Sequence, residues 1–121
     1  MSVVLVEDHA VLAELLTDLL TDAGIQVLAT AATQWAGHHA VTTHRPHLAV
    51  IDNELPDGSG IELCRSLRVD APEVTLLLHT GVASTFETAA ALDAGAAAVV
   101  LKSLRGESLL EAIQTHAPRA C

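Results

Sequence analysis

Acidic, hydroxyl and basic side chains stand at the ends of apolar runs in this chain. Glu7 and Asp8 follow Val3-Val4-Leu5-Val6, Asp52 follows Leu48-Ala49-Val50-Ile51, and Lys102 follows Ala98-Val99-Val100-Leu101. Thr80 follows Val74-Thr75-Leu76-Leu77-Leu78-His79 in the same way. Runs of this kind read as buried strands. In an open parallel α/β sheet, ligands bind beyond the carboxyl ends of the strands, where the strand order reverses. Carboxylates, a hydroxyl and an ammonium converging there suit a divalent cation and a phosphoryl group. The carboxylates offer hard oxygen ligands, and the ammonium neutralises phosphoryl oxygens.

Each residue alone has a plainer reading. Asp52 could be a turn residue, Asp8 could cap the first helix, and Lys102 could be a solvated side chain with its stem on the surface. Only their joint placement at strand ends favours a site.

The elements that must position them alternate between β-rich runs and helical periods, the pattern of a parallel α/β fold. Strands are expected at Ser2–Val6, Ile25–Thr30, His47–Ile51, Val74–His79 and Ala97–Leu101. Val11, Leu12, Leu15, Leu16, Leu19 and Leu20 repeat at three-to-four spacing, giving the first helix an apolar face. Thr33, Ser59 and Ser84 are candidate N-caps for the next three helices, with Glu87 completing a capping-box pattern at Ser84. Gly24 and Gly95 stop helices, and the last helix runs from about Gly106 to His116. Pro56-Asp57-Gly58-Ser59-Gly60 reads as a turn-rich loop. Right-handed crossovers then favour a flavodoxin-like, doubly wound, five-stranded parallel sheet of order 2-1-3-4-5 with five helices. That order sets the ends carrying Asp8 and Asp52 side by side at the switch point.

Length favours one domain over residues 1–121. Half of the residues are hydrophobic but only Trp35 and Phe86 are aromatic, so aliphatic side chains must fill the core. A net charge of -9 with scattered Lys and Arg argues against nucleic-acid contact by this segment. No apolar stretch approaches the ~18 residues of a membrane span, and Cys64 and Cys121 lack metal or redox spacing. A cytoplasmic protein is expected. His38, His39, His44 and His47 are read as an exposed helix face and loop in preference to a metal site.

These segments resemble the receiver domains of bacterial two-component response regulators, over essentially the whole chain. Val4-Leu5-Val6-Glu7-Asp8-His9 is similar to the family's acidic pair, and Val50 through Gly60 to its phosphorylation segment. His79-Thr80-Gly81 and Val100-Leu101-Lys102-Ser103 resemble its hydroxyl and lysine motifs. The first and third of these segments lean toward regulators whose second domain is a helix-turn-helix.

The resemblance implies that Asp52 accepts a phosphoryl group from a sensor histidine kinase. It implies Mg²⁺ held by Asp8, Asp52 and the backbone carbonyl of Glu54, with Glu7 acting through water. Lys102 and Thr80 would contact the phosphoryl group, and Gly81 would leave the donor room to approach. A receiver promotes only its own phosphorylation and dephosphorylation, so no enzyme acting on a second substrate is expected. Its conformational change would control an output such as transcription. Val99 stands where the family usually has an inward-turning aromatic residue.

Self-association on phosphorylation is expected through the face made by the helix from Ser84, the fifth strand and the last helix, where Ala89, Ala90, Ala91, Ala94 and Ala98 offer small side chains for close approach or for packing inward. His116-Ala117-Pro118-Arg119 reads as the start of a linker, which suggests a segment of a longer regulator with a DNA-binding domain beyond Cys121. The rival readings are a phosphatase of the haloacid dehalogenase type, faintly echoed by Asp52-Asn53-Glu54, a flavin-binding module on the same fold, and a degenerate receiver acting by binding alone.

Overall fold

The apolar runs pair as parallel strands. A computed structural model describes residues 1–103 and 106–117. In chain order it contains β1 (Ser2–Val6), α1 (Ala10–Asp22), β2 (Gln26–Ala31), α2 (Gln34–His44), β3 (Leu48–Asp52), β4 (Glu54–Leu55), β5 (Gly58–Ser59), α3 (Gly60–Asp70), β6 (Thr75–Thr80), α4 (Thr85–Asp93), β7 (Ala98–Leu101) and α5 (Glu107–His116). The five-stranded sheet has the order β2-β1-β3-β6-β7, which is the expected 2-1-3-4-5 order when only its own strands are numbered.

Alternation along each strand sends neighbouring side chains to opposite faces. Val3, Leu5, Leu48, Val50, Leu77 and Val100 pack with Leu16 and Leu20 of α1 and with Leu109 and Ile113 of α5. Val4, Val6, Ala49, Ile51 and Leu78 pack on the other side with α2, α3 and α4 residues such as Val41, Leu63, Leu67 and Ala91. β1 and β3 are adjacent, yet their helices α1 and α3 cover opposite faces. The crevice therefore opens between the ends of β1 and β3.

Local chemistry fixes the helix starts. Thr33 Oγ1 accepts from Ala36 N at 3.0 Å. Ser59 and Glu62 form a reciprocal capping box at α3, whereas Ser84 accepts from Glu87 N without the return bond. Gly60 is needed where it stands, because a Cβ there would collide with the carbonyl oxygen of Asp52. The α3 N-terminus thus lies directly against the end of β3.

Three expectations change. The 56–60 segment is not a plain loop, since Glu54–Leu55 and Gly58–Ser59 pair as a small antiparallel hairpin. The buried face of α1 is narrower than its apolar stripe, for Val11 is 62% and Leu15 61% exposed. Ala91 and Ala94 are core residues, so the surface near α4 and β7 is instead apolar at Val82, Phe86, Leu92 and Leu101. Of the expected linker, Pro118 and Arg119 lie outside the described residues.

Candidate functional site

Backbone hydrogen bonds carry the sheet one residue past two of its strands. Glu7 N donates to Ala31 O at 2.8 Å, and Lys102 N donates to Thr80 O at 2.8 Å. The inside-outside alternation therefore continues to Glu7 and Lys102. On the α1/α5 face, Leu5 is followed by Glu7, Val50 by Asp52, Leu77 by His79 and Val100 by Lys102. An apolar face thus ends in a polar row, with Glu7, Asp52 and His79 all buried.

The Lys102 ammonium lies 3.1 Å from Glu7 Oε1 and 3.3 Å from Asp52 Oδ2. Glu7 Oε2 accepts from His9 N at 3.1 Å, and Asp52 Oδ1 accepts from Glu54 N at 3.2 Å. Asp8 is exposed beside them, and Glu7, Asp8 and Asp52 each place a carboxylate oxygen within 4.8 Å of the other two. A cavity of about 510 Å³ over this cluster is rimmed by Val11, Leu12, Leu15 and Glu54.

Charge is unbalanced there. Burial, and then the neighbouring Asp52 carboxylate, push the Glu7 carboxyl above its ordinary range, while His9 N–H and Lys102 pull the other way. Burial also works against the Lys102 ammonium, but Glu7 and Asp52 outweigh it and hold that pKa above its usual value. One ammonium thus answers for several carboxylates. Glu7 Oε1 is buried and lacks a hydrogen-bond partner, its neighbour being the Lys102 ammonium at 3.1 Å. An all-oxygen donor set with an unsatisfied buried oxygen fits a hard divalent cation.

The remaining expectations fall out as follows around this cluster. Asp8 is not a helix cap, because His9 occupies the N-cap of α1 and no side chain caps it. Thr80 is buried on the opposite pleat from His79, and its hydroxyl donates to Val82 O at 3.0 Å. Gly81 is exposed, and a Cβ there would meet nothing within 4 Å. Val99 is half-buried against the α2/α3/α4 core.

Two contributions are less visible in the sequence. The Asp57 carboxylate accepts from Gln34 N and Trp35 N, closing the start of α2 from a hairpin distant in sequence. His79 faces the site beside Asp52, its register partner on β3. Counting two residues on from Leu77 would have placed it.

The response regulator receiver domain model matches residues 3–114. The chain belongs to this family. It is 38% identical over 113 residues to the DNA-binding transcriptional activator DevR/DosR of Mycobacterium tuberculosis, covering 93% of this chain and 52% of that protein. A protein-glutamate methylesterase/protein-glutamine glutaminase of Natronomonas pharaonis is 36% identical over 97 residues, covering 77% of this chain and 26% of that protein. The crystal structure of a LuxR-family two-component response regulator from Aurantimonas sp. superposes with a TM-score of 0.89 at 29% identity, covering 94% of this chain and 82% of that one. The receiver segment spans only about half of DevR/DosR and about a quarter of the methylesterase. No helix among the described residues is long and apolar enough to cross a membrane.

Proposed function

We propose that this receiver is a phosphorylation switch in which Asp52 accepts a phosphoryl group from a phosphohistidine on a sensor histidine kinase. The observation that carries the reading is the buried Asp52 carboxylate, 3.3 Å from the Lys102 ammonium and clustered with Glu7 and Asp8. Mg²⁺ would be held by Asp8, Asp52 and the Glu54 backbone carbonyl, with Glu7 acting through water. When bound, it screens the negative charge that otherwise repels an anionic nucleophile from phosphorus.

An Asp52 carboxylate oxygen attacks phosphorus as the donor imidazole leaves in line, so one P–O bond forms and one P–N bond breaks. Most of the catalysis is positioning and charge neutralisation, and Lys102 supplies the latter from the protein. Open space at Gly81 leaves the donor an approach. Val11 and Leu15, exposed at the rim, suit an apolar contact with a protein donor.

Thr80 then leaves Val82 O and donates to a phosphoryl oxygen, drawing the following loop inward. Valine at 99 has a short, stiff side chain, so the shift travels by backbone displacement of residues 81–84. The output belongs to a domain outside this segment, transcriptional control through DNA being the expected kind, and the protein works in the cytoplasm. Phosphorylated copies pair through the surface that exposes Phe86 and Leu101. The receiver acts on no substrate beyond its own Asp52.

Incubation with a small phosphodonor and Mg²⁺ should add one phosphoryl group by intact mass, and Asp52→Asn should abolish it. Undiminished labelling of that variant would move the acceptor elsewhere.

A further inference from the structure

Lys102 projects from the end of β7, yet its ammonium reaches Asp52 on β3 and Glu7 on β1. In the order β1-β3-β6-β7 its side chain must therefore cross β6. On β6, the side chain that faces this side in register with Asp52 is His79. The imidazole is 3% exposed, and its Nε2 is buried without a hydrogen-bond partner. Burial first, and then the Lys102 charge, push the ring down to about 4, with Asp52 opposing. A neutral imidazole keeps one nitrogen as an acceptor, and the buried Nε2 is free to be that nitrogen.

We propose that His79 is a positioning residue for Lys102, its Nε2 accepting from the ammonium as that group shifts between the carboxylates and a phosphoryl group on Asp52. The inference rests on the phosphoacceptor reading of Asp52. An ammonium has three N–H donors and leaves a carboxylate readily only when another acceptor is within reach. In the resting site its protein partners are Glu7 and Asp52. Once Asp52 carries the phosphoryl group, one donor goes to a phosphoryl oxygen and one stays on Glu7, which leaves the third for Nε2. Nε2 is a buried, unpartnered nitrogen on β6, the strand that the Lys102 side chain crosses. With the proton on Nδ1, it can accept that hydrogen bond without any charge entering the core.

The test is the first-order rate of Asp52 labelling by a small phosphodonor in the whole chain, for wild type, His79→Leu, His79→Gln, Lys102→Ala and the His79→Leu/Lys102→Ala double variant. Leucine keeps apolar volume and removes the acceptor, whereas glutamine restores a polar group at comparable reach. Labelling should slow by about tenfold in His79→Leu and recover most of that loss in His79→Gln. In the Lys102→Ala background, His79→Leu should cost nothing further, because two residues acting through one hydrogen bond are not additive.

His79→Leu should melt at or above wild type, since it removes an unpartnered buried polar atom. Wild-type rates in His79→Leu, a loss that glutamine does not restore, or an equal further loss in the Lys102→Ala background would each overturn the proposal. An unfolded His79→Leu chain would do so too, by showing that the ring holds the fold. Persistent labelling of Asp52→Asn would instead overturn the phosphoacceptor reading, so the two failures are distinct.

Discussion

The groove between α2 and α3 and the pocket over Asp52 draw on the same residue types. The groove is the larger, about 800 Å³ against about 510 Å³, and it gathers Asp57, Glu62 and Asp70 with His38 and His39. Its carboxylates are answered by the fold itself. Asp57 takes the N–H groups of Gln34 and Trp35, Asp70 takes His38 Nε2 at 2.7 Å, and Glu62 closes the capping box with Ser59. These two backbone N–H groups hold the Asp57 carboxyl below its ordinary range. In the Asp52 pocket, Lys102 is the ammonium shared by Glu7 and Asp52, and burial makes that shortage costly. The larger hollow is a finished structural joint, and the smaller one has ligand capacity left over.

The sharpest way to break this contrast is to exchange the two aspartates' roles. Asp52→Asn should remove phosphoryl labelling entirely, while Asp57→Asn should label at close to the wild-type rate. Comparable losses would mean that the groove takes part in the chemistry. Next in size is the response to cation. Mg²⁺ should raise the thermal midpoint of the wild type by binding only the folded chain, and should hardly raise that of Asp8→Asn. Asp70→Asn should keep the full Mg²⁺ response, and a matched loss in both would erase the distinction.

A third effect concerns pH and arises at His79 in the pocket. His79 falls from its ordinary 6.5 to about 4 on folding. Above pH 6.5 the ring is neutral in both states and contributes no pH dependence. Between 6.5 and 4 the unfolded chain binds a proton that the folded chain refuses, so stability is lost as pH falls, by about 3 kcal/mol over the window. Below 4 the difference is constant. Denaturant midpoints of wild type and His79→Leu should therefore separate progressively as pH drops through this window, and parallel curves would refute it. The smallest effect lies in the groove. Asp57→Ala should lower the thermal midpoint slightly by uncapping α2, with Mg²⁺ uptake intact.

The sheet order and the cluster of Glu7, Asp8 and Asp52 with Lys102 were legible because strand alternation and strand-end placement are local signals. Each could be counted along a single run. Contacts made across long sequence separations were harder to read. Asp57 caps α2 from 22 and 23 residues away, and nothing beside Pro56 or Gly58 announces that destination. The exposure of Val11 and Leu15 was hidden because periodicity marks an apolar stripe without saying how wide a partner covers it. The alanines of α4 stayed ambiguous for the opposite reason. Their small side chains suit either a close surface contact or a tight core, and Ala91 and Ala94 went to the core.

Trp35 carries a practical corollary. It is the single tryptophan, and the chain has no tyrosine. Its ring is exposed at the start of α2 and stacks on His39 with centroids 5.9 Å apart and planes 4° from parallel. α2 covers the sheet face opposite the one that ends in Glu7, Asp52 and Lys102. Intrinsic fluorescence is therefore a gauge of solvent at α2, and should stay flat while the acidic pocket fills. A chromophore introduced at Leu15, on the pocket's own rim, would give the optical signal that the natural tryptophan withholds.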